Sequence, residues 1–489
     1  MIDRKWPKTV LFTDLRHIEC GNLRWLSPTG EDIPVAGPPE PVVDTHADLG
    51  MLPHGVHLVA QKPTKLDPIP QEGNAGFTRV IYDGGMYRSW NLSVTYSSGS
   101  NLGSYSKEHP AKVEVVSTKS NDAINWTEHS RSTIDVAGIT GFDGFTYFID
   151  PHGPSEERYK IVYCANPPEE EAPALLQAYS ALHPRHQERR IVEGEIKCMY
   201  TIVSPDGIQW NAVKKPLFVH QSDTDTTVFW DEWLEKYVMY TRIYPTGRRA
   251  IGKAEADDFY NWNPIEPLVS PQLDWSIADD IYLNAFSRYP YSPGYRFMFP
   301  EIYHRFDQSS EVRMYSSADS VTWNEIPGGP IITPGEPGSW DSEYISVGKD
   351  IVPLGDNRVG VPYHGTPYPH KYPRWKSLRK AHRAGWVWWP LGRLSAIKAD
   401  EEGEFFTFSL PPAGRSLNLN INVRRGGVAR VEVVGVKGRS IEDCAPITKD
   451  GLNIPVSWNG ETDIGSPDKT PVRLHFKLLS AELFGFEWV

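Results

Sequence analysis

Hydrophobic and polar positions alternate along most of this chain in short runs. Examples are "FTYFIDPHGPSEERYKIVY", "TTVFWDEWLEKYVMYTRI" and "DIYLNAFSRYPYSPGYRFMF", each a β-branched or aromatic run, a turn, and a second such run. Period-two alternation bounded by Gly, Pro, Asn and Asp predicts strands joined by tight turns. A second pattern is laid over the first. "SNDAINW" ends at Trp126, "SPDGIQW" at Trp210, "ADDFYNW" at Trp262 and "SADSVTW" at Trp323, with Asp122, Asp206, Asp258 and Asp319 each four residues before the Trp. The intervals are 84, 52 and 61 residues, and the two shorter ones match a four-stranded unit. The longest carries the acidic, helical-looking insertion "NPPEEEAPALLQAYSALHPRHQERR".

The turn has a physical reason. Asp and Gly accept the backbone that a tight hairpin needs, and an Asp carboxylate can take backbone N–H bonds from its own turn. The Trp then packs inward. The repeat is therefore a fold marker and not a catalytic motif. It predicts an all-β five-bladed β-propeller, with blades over 70–135, 140–220, 222–272, 278–335 and 340–400. The fifth blade lacks the Asp turn, so N-terminal strand material such as "KTVLFTD" is expected to close it and protect its edge. Beyond residue 400, "EFFTFSLPPAGRSLNLNINVRRGGVARVEVVGV" and "PVRLHFKLLSAELFGFEWV" alternate strictly, predicting a C-terminal β-sandwich. The domain expectation is 1–400 propeller and 401–489 sandwich.

Composition sharpens this. In 489 residues, 17 Trp, 40 Gly and 42 Pro suit many turns and aromatic faces, and a 39% hydrophobic content is ample for a core. A net charge of -12 argues against a nucleic-acid partner, which wants a basic stripe. Cys20, Cys164, Cys198 and Cys444 have no metal-site spacing and are too few for a disulfide scaffold, so free thiols are expected. No metal or cofactor is expected. The N-terminus has no apolar stretch of leader length and no segment reaches membrane-spanning length, which makes a cytoplasmic protein the default expectation, with export after removal of a leader as the alternative.

Candidate chemistry lies where inner strands begin. Acidic residues stand at these points in all five units: Glu72, Asp143, Asp223 with Asp225, Asp280 beside Asp279, and Glu343. Loop-to-strand entries favour Asp anyway, so the set competes with a purely structural explanation. Glu301 follows an apolar run, where a lone carboxylate is costly without a partner or a task. Arg242 and His364 each end an apolar strand with a polar group, and Trp90 is a candidate platform for a sugar ring.

With "SPDGIQW", "FIDPHGPSEERYKIVY" and "VRLHFKLLSAELFGF" in view, the chain resembles the five-bladed propeller glycosidases with a β-sandwich tail: glycoside hydrolase family 32 and its relatives in families 68 and 43. The Asp turns also resemble the Asp-boxes of six-bladed sialidases, from which the blade count separates it. The resemblance implies a hydrolase or transglycosylase of carbohydrate metabolism, acting on a furanoside or short oligosaccharide. Three carboxylates would serve as nucleophile or base, stabiliser and acid, because glycoside cleavage needs one carboxyl to protonate the leaving oxygen and another to attack or activate water. By position it implies Glu72 as nucleophile or base, Asp143 as stabiliser, and Asp223 or Asp225 as acid, with Glu301 as the alternative acid. Asp225, Asp280, Glu343, Arg242, His364 and Trp90 would bind substrate. The family-32 stretches Asn-Asp-Pro-Asn-Gly and Arg-Asp-Pro are absent, Glu-Cys occurs only at Glu19–Cys20 near the start of the sequence, and the acid position carries Asp instead of Glu. A non-catalytic carbohydrate- or protein-binding propeller is the alternative. A carbohydrate partner is expected in either case, with no nucleic acid and no membrane. An aromatic-rich sandwich face is compatible with a homo-oligomer.

Overall fold

The computed structural model describes residues 8–19, 53–70, 79–98, 107–136, 138–183, 191, 196–223, 226–245, 247–371, 382–467 and 470–489, and the backbone of 25–26 and 32–33. These residues are almost wholly β-structure. The acidic insertion supplies a helix, Ala172–Leu182, between the second and third strands of its sheet. Among the described residues no helix is long and apolar enough to cross a membrane.

Four-stranded antiparallel meanders follow one another along the chain. The first comprises Ile81–Asp83, Met86–Thr95, Lys112–Ser120 and Thr127–Thr133. The second comprises Thr140–Ile149, Tyr159–Asn166, Cys198–Ser204 and Asn211–Val219. The third comprises Thr227–Asp231, Lys236–Ile243, Ala250–Ala256 and Glu266–Val269. The fourth is split into two ladders, one led by Asp279–Leu283 and Glu301–His304, the other by Ser287–Arg288 and Arg296–Met298. Pro300 sits at the break, where a residue without an N–H cannot continue the ladder. The fifth holds Tyr344–Val347, Val352–Gly355, Arg358–Thr366 and Arg383–Pro390. Each sheet touches the next, and the fifth touches the first.

The Asp turns join third strands to fourth strands in the first four sheets. Asp122 Oδ1 accepts from the N–H groups of Ile124 (2.9 Å) and Asn125 (2.7 Å). Asp206 does so from Ile208 (2.8 Å) and Gln209 (2.9 Å), and Asp319 from Val321 (2.9 Å) and Thr322 (2.7 Å). Asp258 holds Tyr260 N–H at 2.8 Å and the Asn261 amide at 2.8 Å. The following Trp packs against the preceding sheet: Trp126 joins Trp386 of the fifth sheet in one cluster, Trp210 meets Trp90 of the first, Trp262 meets Phe218 of the second, and Trp323 meets Tyr240 of the third. One motif thus closes a hairpin and glues two sheets.

N-terminal material does join the fifth sheet, but through a different segment. Thr64–Lys65 pairs with Arg383–Pro390. Thr9–Leu11, within the "KTVLFTD" segment expected there, instead pairs with the last strand, Leu474–Trp488. That C-terminal sheet also takes His57–Ala60 and begins at Ser395, ahead of residue 401. Its strands Leu417–Val433 and Leu474–Trp488 are long and interrupted by a register shift near Gly426–Gly427, so both halves bury alternate residues such as Leu419 and Val431 in one core. A side chain at Gly427 would meet Leu479 O at 2.5 Å, which is why a glycine stands at the bend.

For Asp122, burial raises the carboxyl pKa, but the turn donors prevail and hold it at about 2, below the usual 3.8. Asp122→Ala is expected to cost about 1–3 kcal/mol at neutral pH, because turn donors lose a charged acceptor. A depressed carboxylate stabilises above its unfolded value. The Asp122 contribution should therefore fade as pH falls from 3.8 to about 2. Urea unfolding of both proteins across that range checks this; an unchanged midpoint at pH 7 would contradict it.

Candidate active site

The second sheet positions Asp143 by distorting its first strand. Gly141 and Gly144 carry φ of 62° and 50°, and the ladder shifts register on either side of Asp143. Bulges of this kind re-aim side chains. The Asp143 carboxylate is partly exposed and 3.9 Å from Lys197 Nζ, which also donates to Gly141 O at 3.1 Å. Across the ladder stands Cys164. Burial pushes its thiol up to about 12; Lys197 opposes, while Asp143 and Asp223 add to the rise. Cys164 therefore lies near both carboxylates and stays protonated, unsuited to nucleophilic work.

Asp223 enters from the third sheet and forms an ion pair with Arg242, whose side chain is 1% exposed. Tyr244 Oη is 3.3 Å from the same carboxylate. Burial alone would lower the Arg242 pKa, yet Asp223, Tyr244 and Tyr282 together raise it, so the guanidinium keeps its charge. Arg242 also donates to Tyr282 O at 2.6 Å and lies 4.0 Å from the Tyr282 ring centroid. The Tyr282 hydroxyl is 3.0 Å from His370 Nε2, and the His370 ring lies 4.4 Å from that of Tyr344. Tyr344 in turn donates a 2.6 Å hydrogen bond to Glu301, which is fully buried. Burial first, then Glu301, raises the Tyr344 pKa well above its usual value, so the phenol remains a donor. Burial, then Lys371, Arg242 and Arg249, depress His370 to about 4 and leave it neutral at pH 7.

These contacts link Asp223, Arg242 and Glu301 across the third to fifth sheets, while Asp143 stands beside Lys197 and across the ladder from Cys164 in the second. His364 pairs with Ser346 in the fifth sheet and stacks on His382 at 5.4 Å. Glu343 is exposed, and the alternation of its strand turns Tyr344 inward in its place. Glu72 and Asp225 lie outside the described residues.

Two expectations need correction. Asp280 is not a substrate ligand but a buried anchor, bonded to Arg249 Nη1 at 2.6 Å and 3.4 Å from Arg305. Trp90 is no sugar platform. It is 2% exposed, donates to Gly207 O at 2.8 Å and packs edge-on against Tyr147, because core formation between two sheets claims its face. Tyr282, Tyr344, His370 and Lys197 were not singled out in the sequence. Tyr344 sits one residue after Glu343, and only the register separates the two. Among the described residues no group of three His, Cys, Asp or Glu could hold a metal ion.

No family model matches the chain, and no curated protein matches it. It is similar in structure to glycoside hydrolases. One such enzyme has a TM-score of 0.44 at 13% identity, over 68% of this chain and 94% of that chain. A thermostable family-43 glycoside hydrolase gives 0.41 at 13%, over 68% and 96%. A fructofuranosidase from Schwanniomyces occidentalis, complexed with fructosylnystose, gives 0.36 at 11%, over 90% and 97%. Likeness at this level says nothing about which residues act.

Burial depresses His220 and His370 to about 4, from 6.5. Between these values the unfolded chain takes up protons that the native state refuses, so stability should fall as pH drops from 6.5 to 4. Urea midpoints should show a shallower slope over this range for His220→Asn than for wild type. Identical slopes would count against this assignment.

Proposed function

We propose that the protein is a glycoside hydrolase, or a transglycosylase, acting on a furanoside or short oligosaccharide. The reading takes the five consecutive sheets as blades of a five-bladed β-propeller and the bent C-terminal sheet as a β-sandwich tail. The tail runs from Ser395 to the C-terminus and recruits Thr9–Leu11 and His57–Ala60. The observation that carries it is the series of contacts from Asp223 through Arg242, Tyr282, His370 and Tyr344 to Glu301, with Asp143 on the first strand of the neighbouring sheet.

Their surroundings divide the work. Asp223 beside buried Arg242 holds a negative charge, as suits a base, nucleophile or stabiliser of an oxocarbenium-like state. Asp143, partly exposed near Lys197, is the second charged carboxylate. Glu301 is the general acid of this reading, because its carboxyl is buried and takes a hydrogen bond from the Tyr344 phenol. Arg242 acts by holding Asp223 and the Tyr282 backbone in place.

One observation favours the non-catalytic alternative: Glu301 is wholly buried, and His370 packs on Tyr344 above it. The same experiment separates the two. A panel of nitrophenyl furanosides and pyranosides, with fructans and arabinans, should reveal turnover by wild type. Asp143→Asn, Asp223→Asn and Glu301→Gln should each reduce kcat by about 10²–10⁴-fold. Absence of turnover on every sugar, or full activity in the Asp143→Asn, Asp223→Asn double variant, would sink the enzyme reading.

A further inference from the structure

A cavity of about 960 Å³ opens at the far end of the inner strands, away from Asp143. Its wall includes Phe148 and Ile149, which end the strand that carries Asp143 near its start. Ile149 lies six residues on from Asp143, at the other end of that strand. All five sheets contribute to it, and its volume is in the range that holds a mono- or disaccharide.

Two kinds of side chain dominate its rim. Tyr82 is 42% exposed and Tyr291 61% exposed, both high for tyrosine. Tyr82 packs on Tyr87 at 4.8 Å. Tyr291, just after the Ser287–Arg288 strand of the fourth sheet, lines the same cavity as Tyr82 and Tyr87 of the first. Aromatic faces that stand in solvent at a cavity mouth suit the C–H face of a sugar ring.

The charges are not evenly spent. Asp350 is taken by Arg79, and Asp122 by its own turn. Arg288 is different. Trp230 O (2.8 Å) and the Phe229 ring (4.8 Å) hold it rigidly, yet its carboxylate partner, Glu232, is 59% exposed. Arg358 lies 5.3 Å from the Trp388 ring, and its partner Asp356 is 87% exposed. Exposed pairs of this sort contribute little and exchange readily. A planar guanidinium freed in this way recognises a carboxylate with two parallel hydrogen bonds.

The geometry points to a second, non-catalytic sugar site in this cavity, selective for a uronate-bearing saccharide: Tyr82 and Tyr291 take the ring, and Arg288 and Arg358 take its carboxylate. Calorimetric titration of the full chain with digalacturonic acid, cellobiose and inorganic phosphate tests it. Digalacturonic acid should bind saturably and cellobiose much more weakly. Arg288→Ala and Tyr291→Ala should each weaken the uronate by about tenfold or more. Asp223→Asn, at the other end of the strands, should leave the affinity unchanged. No uronate binding, equal binding of cellobiose, or loss through Asp223→Asn but not Arg288→Ala would overturn the proposal. Phosphate binding as tightly as the uronate would also overturn it, by showing a bare anion site.

Discussion

The contact on which this molecule depends is the Asp turn with its Trp. A carboxylate that satisfies the N–H groups of its own hairpin removes the cost of a tight reversal between outer strands. Four residues later the indole leaves that hairpin and packs against the preceding sheet. Trp210 against Trp90 and Trp323 against Tyr240 are the same step taken twice. Local chemistry in each turn thereby sets the spacing between neighbouring sheets. The fifth sheet has no Asp turn, and there Trp389 stacks on Phe299 of the fourth sheet while Trp386 donates to Ala123 O in the first.

Once the sheets are fixed, their first strands bring polar groups together that are far apart in sequence. Asp143, Asp223, Tyr282 and Tyr344 each sit at or near such a strand. The cluster is then graded by burial. Asp223 faces a buried arginine, and the buried Glu301 accepts a hydrogen bond from the Tyr344 phenol. Differences in environment of this kind, rather than in residue type, are what let two carboxylates take opposite proton-transfer roles.

The Asp turns were legible in the sequence because each is complete within seven residues. So were the alternating strands and the helical insertion. The acids at strand starts were visible as residue types. Register was not visible: Tyr344 faces inward where Glu343 was singled out, and Asp280 is consumed by Arg249, which lies on another sheet. Nor was Trp90, one of 17 tryptophans, distinguishable as core, because its partners Tyr147 and Gly207 lie 57 and 117 residues away. Thr9–Leu11 escaped for the same reason, since it pairs with the opposite end of the chain.

The central claim is that one carboxylate cluster, at one end of the inner strands, grips a sugar ring. The most direct measurement is a crystal structure of the full chain soaked with a furanose-configured iminosugar, a cationic mimic of the oxocarbenium-like state. The account predicts its ring nitrogen within hydrogen-bonding distance of Asp143 or Asp223, with Glu301 on the leaving-group side. An iminosugar bound elsewhere, with this cluster unchanged and closed beneath His370, would contradict it.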